Sequence, residues 1–302
     1  MREITAGSEL VQFLSIAYKA NTPVLLVGDT GIGKSEIVRA AAAQLGIGCV
    51  SLNLTIIEPV DLAGLPVVRE GLTDYAPPAL LPCDGHGFLL LDELGRAGAG
   101  VLNAALQLLT ERALNTYRLP VGYLPIAATN MGDDYQVAEL DPALRSRFVQ
   151  VRVRPSTAAW LAHAREQGVH SAILDFVRMQ PSIFGTRESN PRAWTMASRY
   201  ITAAEELNAD PMLVGKALAG IVGDDWSTAF MATYRKSDMP LTAEQIIDGY
   251  GAHRAQVQAW VTSRRLAGAA PALLRAAGRV ESGVVDGGEG VERAVLHQRP
   301  AA

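Results

Sequence analysis

The stretch Gly28-Asp29-Thr30-Gly31-Ile32-Gly33-Lys34-Ser35 constrains this chain more than any other. It fits the pattern G-x-x-x-x-G-K-[ST], and its flanks are the ones that pattern requires. Before it runs Pro23 to Val27, a short β-rich apolar run. After it, Ser35 to Leu45 carries Ile37, Val38, Ala41 and Leu45 at helical spacing. Glycines let backbone N–H groups surround a phosphate without Cβ clashes. The helix that follows brings its positive end to the same place. Lys34 is expected to reach the β and γ phosphates of a nucleoside triphosphate, and Ser35 to ligate Mg²⁺ through its hydroxyl. The loop residues Gly28, Asp29, Thr30, Gly31, Ile32, Gly33, Lys34 and Ser35, with Glu36 directly after them, form the expected nucleotide-binding segment.

A phosphate loop needs a carboxylate at the end of a neighbouring strand. Phe88-Leu89-Leu90-Leu91-Asp92-Glu93 supplies one: four apolar residues, then an acid, as in a central parallel strand emerging where open α/β sheets bind ligands. Asp92 is expected to partner the metal, and Glu93 to orient and deprotonate an attacking water. Cys49 to Leu54, Leu124 to Ala128 and Phe148 to Val153 read as further strands, and Val101 to Ala113 as a helix. Continuous apolar strands separated by helices predict a parallel sheet covered on both faces. Glycines and prolines between Asp61 and Pro82 mark a hairpin inserted at 61–82, and Asn115 to Gly122 suggests a second small hairpin limited by Pro120. After Pro155 the composition turns helical, with Ser156 and Thr242 as helix caps. The expected organisation is an α/β domain at 1–154, a helical lid at 155–280 and a flexible tail at 281–302.

These motifs, with others in order behind them, resemble the AAA+ ATPases, and within them the MoxR-like, dynein-related group, from Thr22 to about Tyr200. Asp61-Leu62-Ala63-Gly64-Leu65-Pro66 is similar to the segment that opens the family's insertion. Asp92-Glu93-Leu94-Gly95-Arg96-Ala97 resembles its acidic strand end, with Gly95 where an asparagine is usual. Ala127-Ala128-Thr129-Asn130 looks like the sensor 1 strand, which implies that Asn130 helps hold the attacking water. Asp141 to Phe148 resembles the arginine-finger segment, with Arg145 and Arg147 both candidates and Arg147 favoured because it precedes Phe148. Asn190-Pro191-Arg192-Ala193-Trp194 resembles the start of the sensor 2 helix, which implies that Arg192 reaches the γ-phosphate. The fold implied is a P-loop three-layer parallel sheet followed by a small all-α lid. The resemblance also implies a ring, of six subunits by the family's habit, and a protein client, for instance one with a von Willebrand A-type domain.

Charge and composition narrow the partners. With 27 basic and 31 acidic residues the formal charge is −4, which gives no overall basic field for nucleic acid. A motor on nucleic acid and a non-hydrolysing scaffold stand as rival readings. Residues 1–20 do not read as a signal peptide, and no run of about 18 apolar residues occurs, so a cytoplasmic protein is expected. Cys49 and Cys83 read as two small buried side chains rather than a disulfide. Histidines 163 and 170, seven apart on one helical stretch, have no ligand spacing. Asn130-Met131-Gly132-Asp133 has the outline of a guanine-reading segment but lacks its lysine, so ATP is expected rather than GTP.

Overall fold

The computed structural model describes residues 2–130 and 147–237. In chain order come β1 (Arg2–Thr5), α1 (Ser8–Lys19), β2 (Val24–Val27), α2 (Lys34–Leu45), β3 (Gly48–Asn53) and α3 (Pro59–Ala63). Next are β4 (Leu65–Arg69), β5 (Leu72–Ala76), β6 (His86–Asp92), α4 (Ala99–Glu111), β7 (Ala113–Leu114) and β8 (Tyr117–Arg118). The two last strands are β9 (Gly122–Thr129) and β10 (Val149–Arg154), followed by α5 (Thr157–Glu166), α6 (Ser171–Met179), α7 (Pro191–Glu206), α8 (Pro211–Val222) and α9 (Asp224–Ser237). Among the described residues, six strands form one sheet in the order β1-β10-β2-β9-β6-β3, and every pairing in it is parallel.

Side chains alternate across that sheet and both faces are apolar, so the strands read as continuous hydrophobic runs. Leu25, Leu89, Leu91 and Ala127 point to one side, into a core with Leu62 of α3 and Val101, Ala105 and Leu108 of α4. Val24, Leu26, Leu90 and Ile126 point to the other, against Leu10 and Leu14 of α1 and Val38 and Ala41 of α2. Three layers result, as the sequence predicts. The chain divides into two compact units, residues 1–228 and 229–302. The change from alternating strands and helices to helices alone falls at Arg154, within the first unit. There the helices pack around aromatic rings: Phe176 lies 5.5 Å from Trp194 and 6.3 Å, edge-on, from Trp226. In the second unit the described residues are the end of α9, where Phe230 and Tyr234 stack at 5.4 Å.

The hairpin expected at 61–82 is narrower, β4 paired antiparallel with β5 over residues 65–76, because residues 61–63 finish α3. Glu70 and Gly71 turn it with φ of 51° and 78°, the left-handed pair that matches strand twist in a two-residue loop. The second hairpin differs from expectation. It spans 113–118 rather than 115–122, because α4 stops at Glu111 and Ala113 already pairs with Arg118. Its turn braces the first hairpin: Asn115 Nδ2 donates to the Ala63 carbonyl at 2.9 Å and Thr116 Oγ1 to that of Tyr75 at 2.7 Å. Three elements escape the sequence reading, the edge strand β1, which pairs with β10, α1 and the short helix α3.

Other expectations change in detail. His163 lies inside α5 while His170 caps α6, so the two are not on one helical stretch; Gly168, at φ 69°, turns the chain between them. Cys83 is exposed and Cys49 half-buried, so neither is the buried apolar side chain expected. Ser156 does cap α5, accepting from Ala159 N, while Thr242 and the tail at 281–302 lie outside the described residues. No helix among the described residues is long and apolar enough to cross a membrane.

Candidate nucleotide site

The parallel register brings three strand ends to one edge. Val27 of β2 pairs with Thr129 of β9, and Leu91 of β6 with Ala127 of β9. The phosphate loop leaves β2 at that edge, Asp92 ends β6 there, and Asn130 follows β9.

The loop takes its shape from its glycines. Gly31 and Gly33 hold φ of 80° and 91°, where an L side chain is strained. A Cβ on Gly28 would stand 2.6 Å from the Val153 carbonyl oxygen and 2.7 Å from Ile32 Cδ1, so only glycine fits. Gly33 is the N-cap of α2. Among the described residues, no protein group accepts from the N–H groups of Gly31 to Ser35. Helix starts leave such donors free, and an anion is what satisfies them. Asp29 and Thr30 are exposed. Glu36 is exposed in the first turn of α2, where a carboxylate suits the helix dipole.

Lys34 opens α2 and is buried at 7% exposure. Its Nζ donates to the carbonyls of Gly28 at 2.8 Å and Asp29 at 3.0 Å, and to Asn130 Oδ1 at 2.8 Å. Burial pulls its pKa down to about 8, against the attraction of Asp92, Glu93 and Asp29, and the Arg192 guanidinium pushes the same way as burial. Asn130 turns its other end to Glu93: Nδ2 donates to Glu93 Oε2 at 2.6 Å. Ser35 Oγ donates to Asp92 Oδ2 at 2.5 Å. A hydroxyl and a carboxylate this close can share one small hard cation, so the donor set fits Mg²⁺ as the glycine cradle and ammonium fit phosphate.

Glu93 has a left-handed backbone, φ 60°, uncommon for a residue with a side chain. Its N–H donates to Asp92 Oδ1 at 3.0 Å, and its carboxylate also faces Arg96 at 3.9 Å. Thr129, to which the motif itself assigns no role, locks this turn: its Oγ1 accepts from Gly95 N at 3.2 Å. The bond uses only the backbone of residue 95, so it ties the turn after β6 to the end of β9 whatever side chain stands there.

Arg192 stands in the first turn of α7, where Pro191 is the first helical residue. Its backbone N–H donates to the Gly31 carbonyl at 3.1 Å. Its guanidinium makes no ion pair with any described residue. A cavity of about 460 Å³ opens beside it, lined by Thr30, Gly31, Asn190, Arg192, Met196 and Asp224 among others.

The two finger candidates do not join this cluster. Arg145 lies outside the described residues. Arg147 is exposed, two residues before β10, whose Val149 pairs with Val24 at the start of β2. That is the opposite edge of the sheet from the loop, roughly four residues of strand at about 3.3 Å each away.

A family model described as AAA domain (dynein-related subfamily) matches residues 23–148, the span from β2 to the start of β10 that holds all of this machinery except Arg192. Residues 23–148 are an AAA+ domain of the dynein-related group. Around it the similarity runs to MoxR proteins. Chaperone MoxR1 of Mycobacterium tuberculosis is 29% identical over 153 residues, 49% of this chain and 40% of that protein. Protein MoxR of Methylorubrum extorquens is 27% identical over 161 residues, 49% of this chain and 45% of that one. Protein MoxR of Paracoccus denitrificans is 25% identical over 236 residues, covering 72% of this chain and 69% of its own length. Beyond residues 23–148 the chain is thus similar to MoxR proteins, and it spans less than half the length of the first two of these relatives.

Proposed function

We propose that this chain hydrolyses ATP between the subunits of a ring and uses the energy to remodel or activate a partner protein. One observation carries the reading. The phosphate-loop ammonium, the sensor amide and the glutamate form a bonded line, Lys34–Asn130–Glu93, beside the Ser35–Asp92 pair.

Each residue has a task. The free N–H groups of the loop and the Lys34 ammonium grip the β and γ phosphates. Ser35 and Asp92 would hold Mg²⁺, which supplies neutralisation of phosphate charge. Asn130 lies between the ammonium and the carboxylate, where it can orient a water toward the γ-phosphorus. The oxygen of that water forms the new P–O bond as the bond to the β-phosphate oxygen breaks, and Glu93 accepts the proton. Arg192 meets the γ-phosphate from its own chain, and residues 155–280 act as the lid that responds to its loss. Arg147 serves a neighbour's nucleotide, a reading its position on the far edge of its own sheet supports, with Arg145 the second candidate. There a guanidinium stabilises charge on the transferring group. A closed ring, six by family habit, gives every site such a neighbour. The client is a protein, for which a von Willebrand A-type domain is one form, and the work is done in the cytoplasm.

Substituting Glu93→Gln tests the core of this. The amide keeps the shape but accepts no proton, so phosphate release should fall by roughly 10²–10⁴-fold. ATP binding, measured by calorimetry, should survive. Release equal to that of the unaltered chain would remove Glu93 as the base.

A further inference from the structure

Asn190 stands directly before α7, and its amide is used on every side. Oδ1 accepts from Ala193 N at 3.0 Å, capping the helix. Nδ2 donates to the carbonyls of Arg187 at 3.0 Å and Glu188 at 3.4 Å, which ties the incoming chain to the helix start. An ordinary cap ends there. This one also abuts the phosphate loop: a Cβ built on Gly31 would lie 2.3 Å from Asn190 Oδ1, so the amide fills the space that glycine leaves open. Next to it, the Arg192 N–H, a first-turn donor with no acceptor inside its own helix, is spent on the Gly31 carbonyl. Gly31, Asn190 and Arg192 share the wall of one cavity.

We propose that Asn190 is a positioning residue: by seating the first turn of α7 on Gly31 it fixes the reach of Arg192, and with it the preference for a triphosphate over a diphosphate nucleotide. The inference rests on the function proposed above, in which Arg192 meets the γ-phosphate. Asn190 itself touches no phosphate and acts through the helix it caps.

The readout is the ratio of dissociation constants for ADP and ATP, measured calorimetrically on the full chain, with thermal unfolding followed in parallel. A purely structural cap changes the unfolding temperature and leaves that ratio alone. Asn190→Ala should lower the ratio about tenfold, as Arg192→Ala does, and the double variant should fall no further than Arg192→Ala, because both act on one interaction. Asn190→Ser, whose hydroxyl still caps, should recover most of the ratio. Should Asn190→Ala not fold, Asn190→Gly takes its place with the same expectation, since glycine is tolerated at a helix start while the amide is gone. An unchanged ratio in a folded variant, or losses that add in the double variant, overturns the proposal and leaves the functional reading standing. Failure of the unaltered chain to bind ATP, or a ratio indifferent to Arg192→Ala, overturns the functional reading first and this inference with it.

Discussion

Lys34 is a buried ammonium whose direct partners are two carbonyls and an amide oxygen, with no carboxylate among them. Its pKa of about 8 is the consequence, and it makes nucleotide binding pH-dependent. The sign follows from linkage: without nucleotide the group sheds its proton as pH rises through about 8, while a triphosphate beside it favours the charged form. Binding above pH 8 should therefore take up a proton, and affinity should fall by up to about tenfold per pH unit there. Calorimetry at pH 9 in buffers of different ionisation heat should show uptake approaching one proton, with the lysine's share vanishing toward pH 7. The identity of Lys34 was legible from the loop pattern alone. Its link through Asn130 to Glu93 was not, since those side chains meet only once β2, β9 and β6 lie side by side in register. Thr129 and Asn190 stand inside motifs the sequence shows, but their own contacts are illegible there for a related reason. A threonine in a strand and an asparagine before a proline look ordinary until Gly95 and Gly31 arrive from elsewhere in the chain.

At the level of elements, the central strands and α2 were readable because apolar runs of four or five residues end in chemistry-bearing ones. The end of α4 was not. No glycine or proline stops it; Arg112 does so by adopting φ 55° as C-cap, a conformation that glycine usually supplies. What holds it there is distant in sequence: its guanidinium donates to the Tyr123 carbonyl and to Asn21 Oδ1. Arg112→Ala removes both bonds, one of them to a main-chain carbonyl of β9. It should lower unfolding free energy by about 1–3 kcal/mol in denaturant titration, without altering nucleotide affinity beyond that. The second hairpin was placed late because α4 was expected to run through Ala113. Helix α1 had a usable signal in Leu10, Leu14 and Ala17, which sit at helical spacing and are all buried. Strand β1 had none, for Arg2-Glu3-Ile4-Thr5 is a short charged edge stabilised mainly by its pairing with β10.

For the whole molecule, the decisive fact is that Arg147 and the phosphate loop occupy opposite edges of one sheet. A site that needs both must draw them from two chains. Two inactive variants should then complement each other. Arg147→Ala keeps its own base, and Glu93→Gln keeps its arginine, so in randomly mixed rings about a quarter of sites hold both intact groups. Phosphate release from the equimolar mixture should approach that fraction of the unaltered rate, and a mixture as inert as its parts would refute a shared site. Mechanics follow from the way α7 is fastened. Its first turn is bonded to the Gly31 carbonyl, and the helix then runs on for 16 residues, roughly 24 Å at 1.5 Å per residue. Pinned at that end, it would act as a lever in the proposed cycle: a tilt of about 10° at the phosphate loop would carry the far tip about 4 Å over that length.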